Sequence, residues 1–175
     1  MKRKVNVWDY AGRIVEALDP GILVTTKVGD RVNTMTIGWG TLGIEWRKPI
    51  FTLYVRESRY TKEFLDQNGE FTINVPLENA DKNILAVCGT KSGRDMDKIK
   101  ELGLTLEAPS VISVPGIKEL PLTLECKVVY KQDQDPTAIG EQVTKRYYPP
   151  FFPDGRGDYH TAYYGEIVDA YIIED

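Results

Sequence analysis

From position 22 onward the chain alternates apolar and polar residues in short runs separated by turn-forming residues, the period-two signature of half-buried strands. Strands are predicted over Ile22 to Val28 and, after Gly29-Asp30, over Val32 to Trp39 and Pro49 to Val55, a β-rich opening. From Tyr60 to Asn68 the spacing becomes helical: Phe64 and Leu65 fall on one face, and Gly69 provides a stop. Glu70 to Val75 returns to alternation and closes at Pro76. Two more helices are predicted over Asn79 to Cys88 and Asp95 to Leu102, the second ended by Gly103. The clearest strand runs from Leu122 to Tyr130, where Leu122, Leu124, Cys126, Val128 and Tyr130 alternate with Thr123, Glu125, Lys127 and Val129, so that Cys126 faces the core. A last strand is expected from Ala162 to Ile173. Ahead of it, Tyr147-Tyr148-Pro149-Pro150-Phe151-Phe152-Pro153 is too rich in proline for regular structure and is expected to be an exposed loop, a lid or a dimer arm. There is no internal repeat. Many short strands with helices only in the middle of the chain predict a mainly β fold, an antiparallel barrel with helical insertions, rather than alternating βαβ units.

At 175 residues, 42% hydrophobic and 27% charged, the chain fits one domain over residues 1–175 with a core of ordinary size. Its 22 Lys+Arg against 26 Asp+Glu argue against a nucleic-acid partner, which usually demands a basic excess. Charged residues and glycines interrupt every apolar run, so no membrane span is predicted. The basic start, Met1 to Asn6, leads into Trp8-Asp9-Tyr10 and not into a signal-peptide core, and a cytoplasmic location is expected. Cys88 and Cys126 have neither CxxC spacing nor a nearby histidine, so both are expected reduced and structural, with no metal site.

One histidine, His160, and no GxSxG elbow leave a hydrolytic triad without parts. No spacing singles out a carboxylate pair. Neither GxGxxG nor GxxxxGK[ST] is present, so the nucleotide-binding signatures of Rossmann and P-loop proteins are missing. Two clusters remain, Arg56-Glu57-Ser58-Arg59-Tyr60-Thr61 and Thr90-Lys91-Ser92-Gly93-Arg94-Asp95-Met96-Asp97-Lys98, each at the start of a predicted helix. Unpaired helix N–H groups, short hydroxyls, a close-approach glycine and arginines together suit an anion such as phosphate. Plain helix capping would use the same residue types. Asn33-Thr34-Met35-Thr36-Ile37-Gly38-Trp39-Gly40-Thr41 mixes polar residues and glycines where a buried strand would be apolar; its edge can meet the polar rim of a flat heterocycle, with Trp39 as a cover. Alternatively Met35, Ile37 and Trp39 are one face of a core strand.

Four segments in order, Asn33 to Trp39, Ser58 to Thr61 ahead of Phe71-Thr72-Ile73-Asn74-Val75-Pro76, Cys88-Gly89 with Ser92 to Lys98, and His160 ahead of Gly165-Glu166-Ile167, carry a resemblance to a known family. Over nearly its whole length the chain resembles the flavin reductase-like family of FMN-binding split barrels, close to flavoredoxins and to flavin or ferric reductases. The resemblance implies a split antiparallel β-barrel with Asn33, Met35 and Thr36 along the isoalloxazine. It implies a ribityl-phosphate site from Ser58, Arg59, Tyr60 and Thr61 on one side and Ser92, Gly93, Arg94 and Lys98 on the other. It places His160 near the flavin face and implies a homodimer with the flavin near the subunit interface. The expected function is hydride transfer from NADH or NADPH to FMN and on to an acceptor, which includes a redox partner protein. Two alternatives stay open: an FMN electron carrier reduced by another protein, and a small β-barrel module without flavin in which both clusters are caps.

Overall fold

A computed structural model describes residues 1–78 and 80–174; Asn79, where a mid-chain helix is predicted to begin, lies outside the described residues. The elements in order are β1 (Lys2–Lys4), α1 (Ala11–Ala17), β2 (Ile22–Val28), β3 (Arg31–Ile37), β4 (Gly40–Glu45), β5 (Lys48–Arg56), α2 (Tyr60–Gln67) and β6 (Glu70–Val75). They continue with α3 (Lys82–Thr90), α4 (Lys98–Glu101), β7 (Leu106–Glu107), β8 (Gly116–Ile117), β9 (Leu122–Asp133), α5 (Glu141–Tyr147) and β10 (His160–Ile173).

The main sheet is antiparallel, ordered β3-β2-β6-β9-β10-β5-β4, with β1 beside the far end of β10. Its two outermost strands, β3 and β4, are consecutive in sequence and joined only by Gly38 and Trp39. So short a link between opposite ends forces the sheet to curl until its edges face each other, yet β3 and β4 do not pair, and the result is a split barrel. The split is therefore bordered by the segment Asn33 to Trp39.

Inside the curl, Ile22, Val24, Met35, Ile37, Phe51, Leu53, Phe71, Ile73, Leu124, Cys126 and Tyr163 form the main core. Gly165 belongs to this packing: a Cβ there would stand 2.4 Å from the Phe71 ring. On the opposite face of β2, β6 and β9, α3 and the segment 104–120 cover a second cluster of Leu23, Ile84, Leu85, Cys88, Ile117 and Leu120. This second cover explains why Thr123 and Glu125 are as buried as Leu122 and Leu124, although alternation predicts one wet face for β9. The Glu125 carboxylate is satisfied by the backbone N–H groups of Ser110, Val111 and Ile112 at 2.6, 2.7 and 3.1 Å.

Several elements differ from expectation, each for a physical reason. Helices also stand outside the middle of the chain: α1 buries only Ile14 and Ala17, and α5 buries none of its residues, so neither carries a stripe long enough to register as period 3.6. β4 is diluted by Gly40 and Gly43, and its turn into β5 uses positive φ at Trp46 and Arg47 without a glycine to announce it. β3 stops at Ile37, so Trp39 belongs to the link, not to a strand. The helix predicted over Asp95 to Leu102 shrinks to α4, capped by Asp97, whose carboxylate accepts from Lys100 N–H at 3.1 Å. Tyr147 ends α5 and Tyr148 is 5% exposed, so the aromatic stretch is neither wholly irregular nor wholly exposed.

Candidate functional site

The site grows from the unpaired outer edge of β3. Strand β2 takes one edge of β3 and no strand among the described residues takes the other, so its outward backbone groups are open to partners other than a strand. Lys98 fills part of that role: its ammonium, 5% exposed, donates to Thr34 O at 2.9 Å and Cys88 O at 3.2 Å and so ties β3 to the last turns of α3. Thr36 makes a second tie, its hydroxyl donating to Leu85 O at 2.7 Å. Asn33 makes a third, donating from Nδ2 to Thr61 Oγ1 at 3.0 Å. Against Asn33 sits Gly93, where a Cβ would lie 2.1 Å from Asn33 Oδ1 and 3.0 Å from the Tyr60 ring, so only glycine lets the loop after α3 approach.

At the start of α2 no side chain caps the helix, and its first N–H groups stay available. The hydroxyl that composition offered as a cap, Ser58, instead donates to Asp158 Oδ2 at 2.6 Å, while Ser58 N–H donates to Asp158 Oδ1 at 3.0 Å. Asp158, itself 5% exposed, thus holds the loop that presents Arg59. The Arg59 guanidinium is exposed and has no hydrogen-bond or ion-pair partner among the described residues. Arg94 is engaged: it donates to Ser58 O at 3.1 Å, pairs with Glu63, and lies over the Tyr60 ring at 5.1 Å. Ser92 lies not at a helix start but in the turn after α3, its hydroxyl accepting from Arg94 N–H at 3.1 Å.

Around these groups the surface forms a continuous trough. One cavity of about 100 Å³ is walled by Asn33, Met35, Thr36, Ser58 to Thr61, Cys88, Gly89, Ser92 to Arg94 and Lys98. A second, of about 140 Å³, shares Met35, Thr36 and Arg59 and adds Gly38, Trp39, Tyr54, Arg56 and His160. The trough then opens past Trp39, Tyr54, Gln134 and Tyr148. Beyond its anion end lies a larger hollow of about 500 Å³ bordered by Arg31, Tyr60, Phe64 and Arg94. Thus the structure gathers Asn33, Met35, Thr36, Trp39, Ser58, Arg59, Tyr60, Thr61, Ser92, Gly93, Arg94, Lys98 and His160 along one trough. Met35 and Ile37 belong to the core, as the core-strand reading expects, but Trp39 is exposed and lies outside the strand.

Sequence reasoning missed Asp158, Tyr54 and Tyr148, and did not separate Arg56 from its cluster. Arg56 donates to Asp158 O at 2.7 Å and Tyr147 O at 3.0 Å, which ties β5 to the segment ahead of β10 beside Trp39. Only their nearness to named residues, Asp158 to His160 and Tyr148 within the aromatic stretch, gave any signal. His160 is 6% exposed, 5.0 Å from Trp39 between ring centres. Burial first, then the Arg56 guanidinium, push its pKa down to about 4, with Asp158 opposing and Arg59 adding, so the ring is neutral near pH 7. Burial pushes the Cys88 thiol up to about 11, which leaves it unreactive beside the trough. Among the described residues no cluster of His, Cys, Asp and Glu could hold a metal, and no helix is long and apolar enough to cross a membrane.

Residues 19–175 match the family model described as flavin reductase like domain. The chain belongs to this family. Among its relatives, an uncharacterized protein of Archaeoglobus fulgidus is 30% identical over 130 residues, which cover 74% of this chain and 72% of that protein. Among solved structures, a flavoredoxin from Methanosarcina acetivorans is 26% identical, with a TM-score of 0.63 over 88% of this chain and 68% of that one. An FMN-binding domain of a flavin reductases-like enzyme from Shewanella baltica covers 98% of this chain and 77% of its own, at 20% identity and a TM-score of 0.64. The split barrel of this flavin reductase-like chain is therefore that of its family.

Proposed function

We propose that the protein is an FMN-binding oxidoreductase that takes hydride from NADH or NADPH and passes electrons to an acceptor. The observation that carries this is the unpartnered Arg59 guanidinium beside the uncapped start of α2, at one end of a trough walled by an open strand edge. A flavin mononucleotide has one dianionic end and one flat polar-rimmed end, and the donor set matches both. Arg59, the first N–H groups of α2, Thr61 and Ser92 hold the phosphate. Asn33 and the outer edge of β3 would meet the polar rim of the ring, Met35 would lie against it, and Trp39 would flank it at the open end. Lys98 and Ser58, both bonded within the protein, shape these walls instead of binding the phosphate. When bound, the flavin supplies two-electron acceptance and onward transfer. The residues bind, orient and shield; His160, its pKa lowered to about 4, is a weak base and serves as a neutral hydrogen-bonding group.

The family itself, and the FMN-binding name of the Shewanella structure, support the cofactor. We also read the outer face of β4, β5, β10 and β9 as the seat of a second copy of this chain. That face carries Tyr130 in contact with both Trp46 (6.4 Å) and Tyr164 (5.1 Å), and through Tyr54 it adjoins the open end of the trough.

Anaerobic mixing of the FMN-loaded protein with NADH and then NADPH tests the reductase reading. Loss of the yellow absorbance within seconds is expected and identifies the donor. Stable colour with both, followed by bleaching with dithionite, overturns it in favour of the electron carrier that the name of the Methanosarcina flavoredoxin suggests.

A further inference from the structure

The Trp39 end of the trough holds the chain's one imidazole. His160 pairs across the sheet with Arg56, and its backbone N–H donates to Gln134 Oε1 at 2.9 Å. Its Nδ1 lies 2.9 Å from the Tyr148 hydroxyl. Tyr148 is held in turn by a stacked contact with Tyr159, 4.8 Å between ring centres, and meets the imidazole edge-on at 5.6 Å. Nε2 has no protein partner among the described residues. It is not one of the fully buried unpaired atoms among the described residues, Asp169 Oδ2 and Tyr171 OH, and His160 lines the cavity at this end of the trough. A phenol, with a pKa near 10, gives up its proton far more readily than a neutral imidazole N–H, so in this pair the tyrosine donates and Nδ1 accepts. The ring proton then resides on Nε2.

We propose that Tyr148 is a positioning residue that fixes His160 as the neutral Nε2–H tautomer, so that the trough presents at its Trp39 end one uncharged donor suited to a carbonyl oxygen. The groups facing the ring from each packed element agree: Arg56 on β5 and Arg59 ahead of α2 disfavour the imidazolium, and Asp158 only partly offsets them. A neutral donor orients an amide or ketone oxygen without exchanging a proton with it. The carbonyl half of the inference rests on the flavin reading above, and that oxygen belongs either to the flavin's own ring edge or to the carboxamide of a second ligand stacked there. The tautomer half rests on this chain alone.

Because there is one histidine, nitrogen NMR of protein labelled at histidine sees this ring and no other. Wild type at pH 7 is expected to show only the Nε2–H form. Tyr148→Phe, which keeps the ring contacts and loses the hydroxyl, is expected to show both tautomers of a ring that stays neutral, because burial and Arg56 remain in place. An Nδ1–H form in wild type, or a Tyr148→Phe spectrum identical to it, overturns the assignment. A shift of the Nε2–H signal with FMN alone supports the flavin edge as acceptor; a shift only when nicotinamide follows FMN supports a second ligand. No shift with either, in protein seen to bind FMN by its visible spectrum, overturns the donor role. Protein that binds no FMN overturns the flavin reading and the carbonyl half with it, while the spectra of the free protein still decide the tautomer.

Discussion

The guanidinium of Arg59 stands without a partner among the described residues, whereas the Lys98 ammonium is bonded to two backbone carbonyls, although both are cations in hydroxyl-rich stretches of sequence. Arg59→Ala is therefore expected to weaken FMN binding by about 1–3 kcal/mol, the worth of a charge-assisted hydrogen bond, and to leave the unfolding midpoint unchanged. Lys98→Met is expected to lower stability by about 1–3 kcal/mol, because it leaves buried carbonyls unpaired. Visible titration and urea unfolding of both variants check the contrast, and equal losses of affinity with no loss of stability would contradict it. His160 adds a pH dependence. Its pKa is about 4 when folded against 6.5 when unfolded, so between those values the unfolded chain binds the extra proton and acid favours unfolding. That contribution to stability, about 3 kcal/mol, is complete above pH 6.5 and is lost as the pH falls toward 4. Urea unfolding of wild type and His160→Gln at both pH values checks it: the variant is expected to lose less, and an equal loss would mean that the ring is not buried neutral.

Among the elements, the two-residue link between β3 and β4 is what turns a sheet into a trough, and it was the least legible. Strands β2, β5 and β6 and helix α2 were plain because each buries a regular apolar face: Ile22 and Val24, Phe51 and Leu53, Phe71 and Ile73, Phe64 and Leu65. α5 was invisible because it buries nothing, and β4 because its glycines interrupt the pattern. Of the site, the stretch on β3 and the cluster around Arg59 stood out by their chemistry, while the individual residues were named through the family resemblance. The roles of Lys98, Ser58 and Tyr148 could not be named, since they depend on partners far away in sequence: Thr34, Asp158 and His160. The two glycines Gly165 and Gly43 show the same gap between residue type and role. Gly165→Ala drives a methyl group into the Phe71 ring and is expected to cost about 1–3 kcal/mol. Gly43→Ala, with open space around the new methyl, is expected to change stability by less than about 0.5 kcal/mol. Denaturant midpoints of the two variants distinguish them, and equal values would place the Phe71 ring elsewhere.

At the scale of the whole molecule, the trough runs from the uncapped start of α2 to an open end beside an aromatic sheet face, so that in the proposed reading cofactor binding and assembly share one surface. Sedimentation is expected to show a dimer of the 19.8 kDa chain, and Tyr130→Glu to shift it toward monomer. A wild-type monomer at every concentration would contradict the shared face. The central claim is that the trough grips a flavin by its phosphate, and the direct measurement is calorimetric titration of the protein with FMN and, separately, with riboflavin, which has the same ring and ribityl chain but no phosphate. The account predicts that FMN binds at least about tenfold more tightly, a difference of roughly 1.4 kcal/mol or more, and that Arg59→Ala erases most of the difference. Equal affinities for the two ligands, or no binding of either, would contradict it.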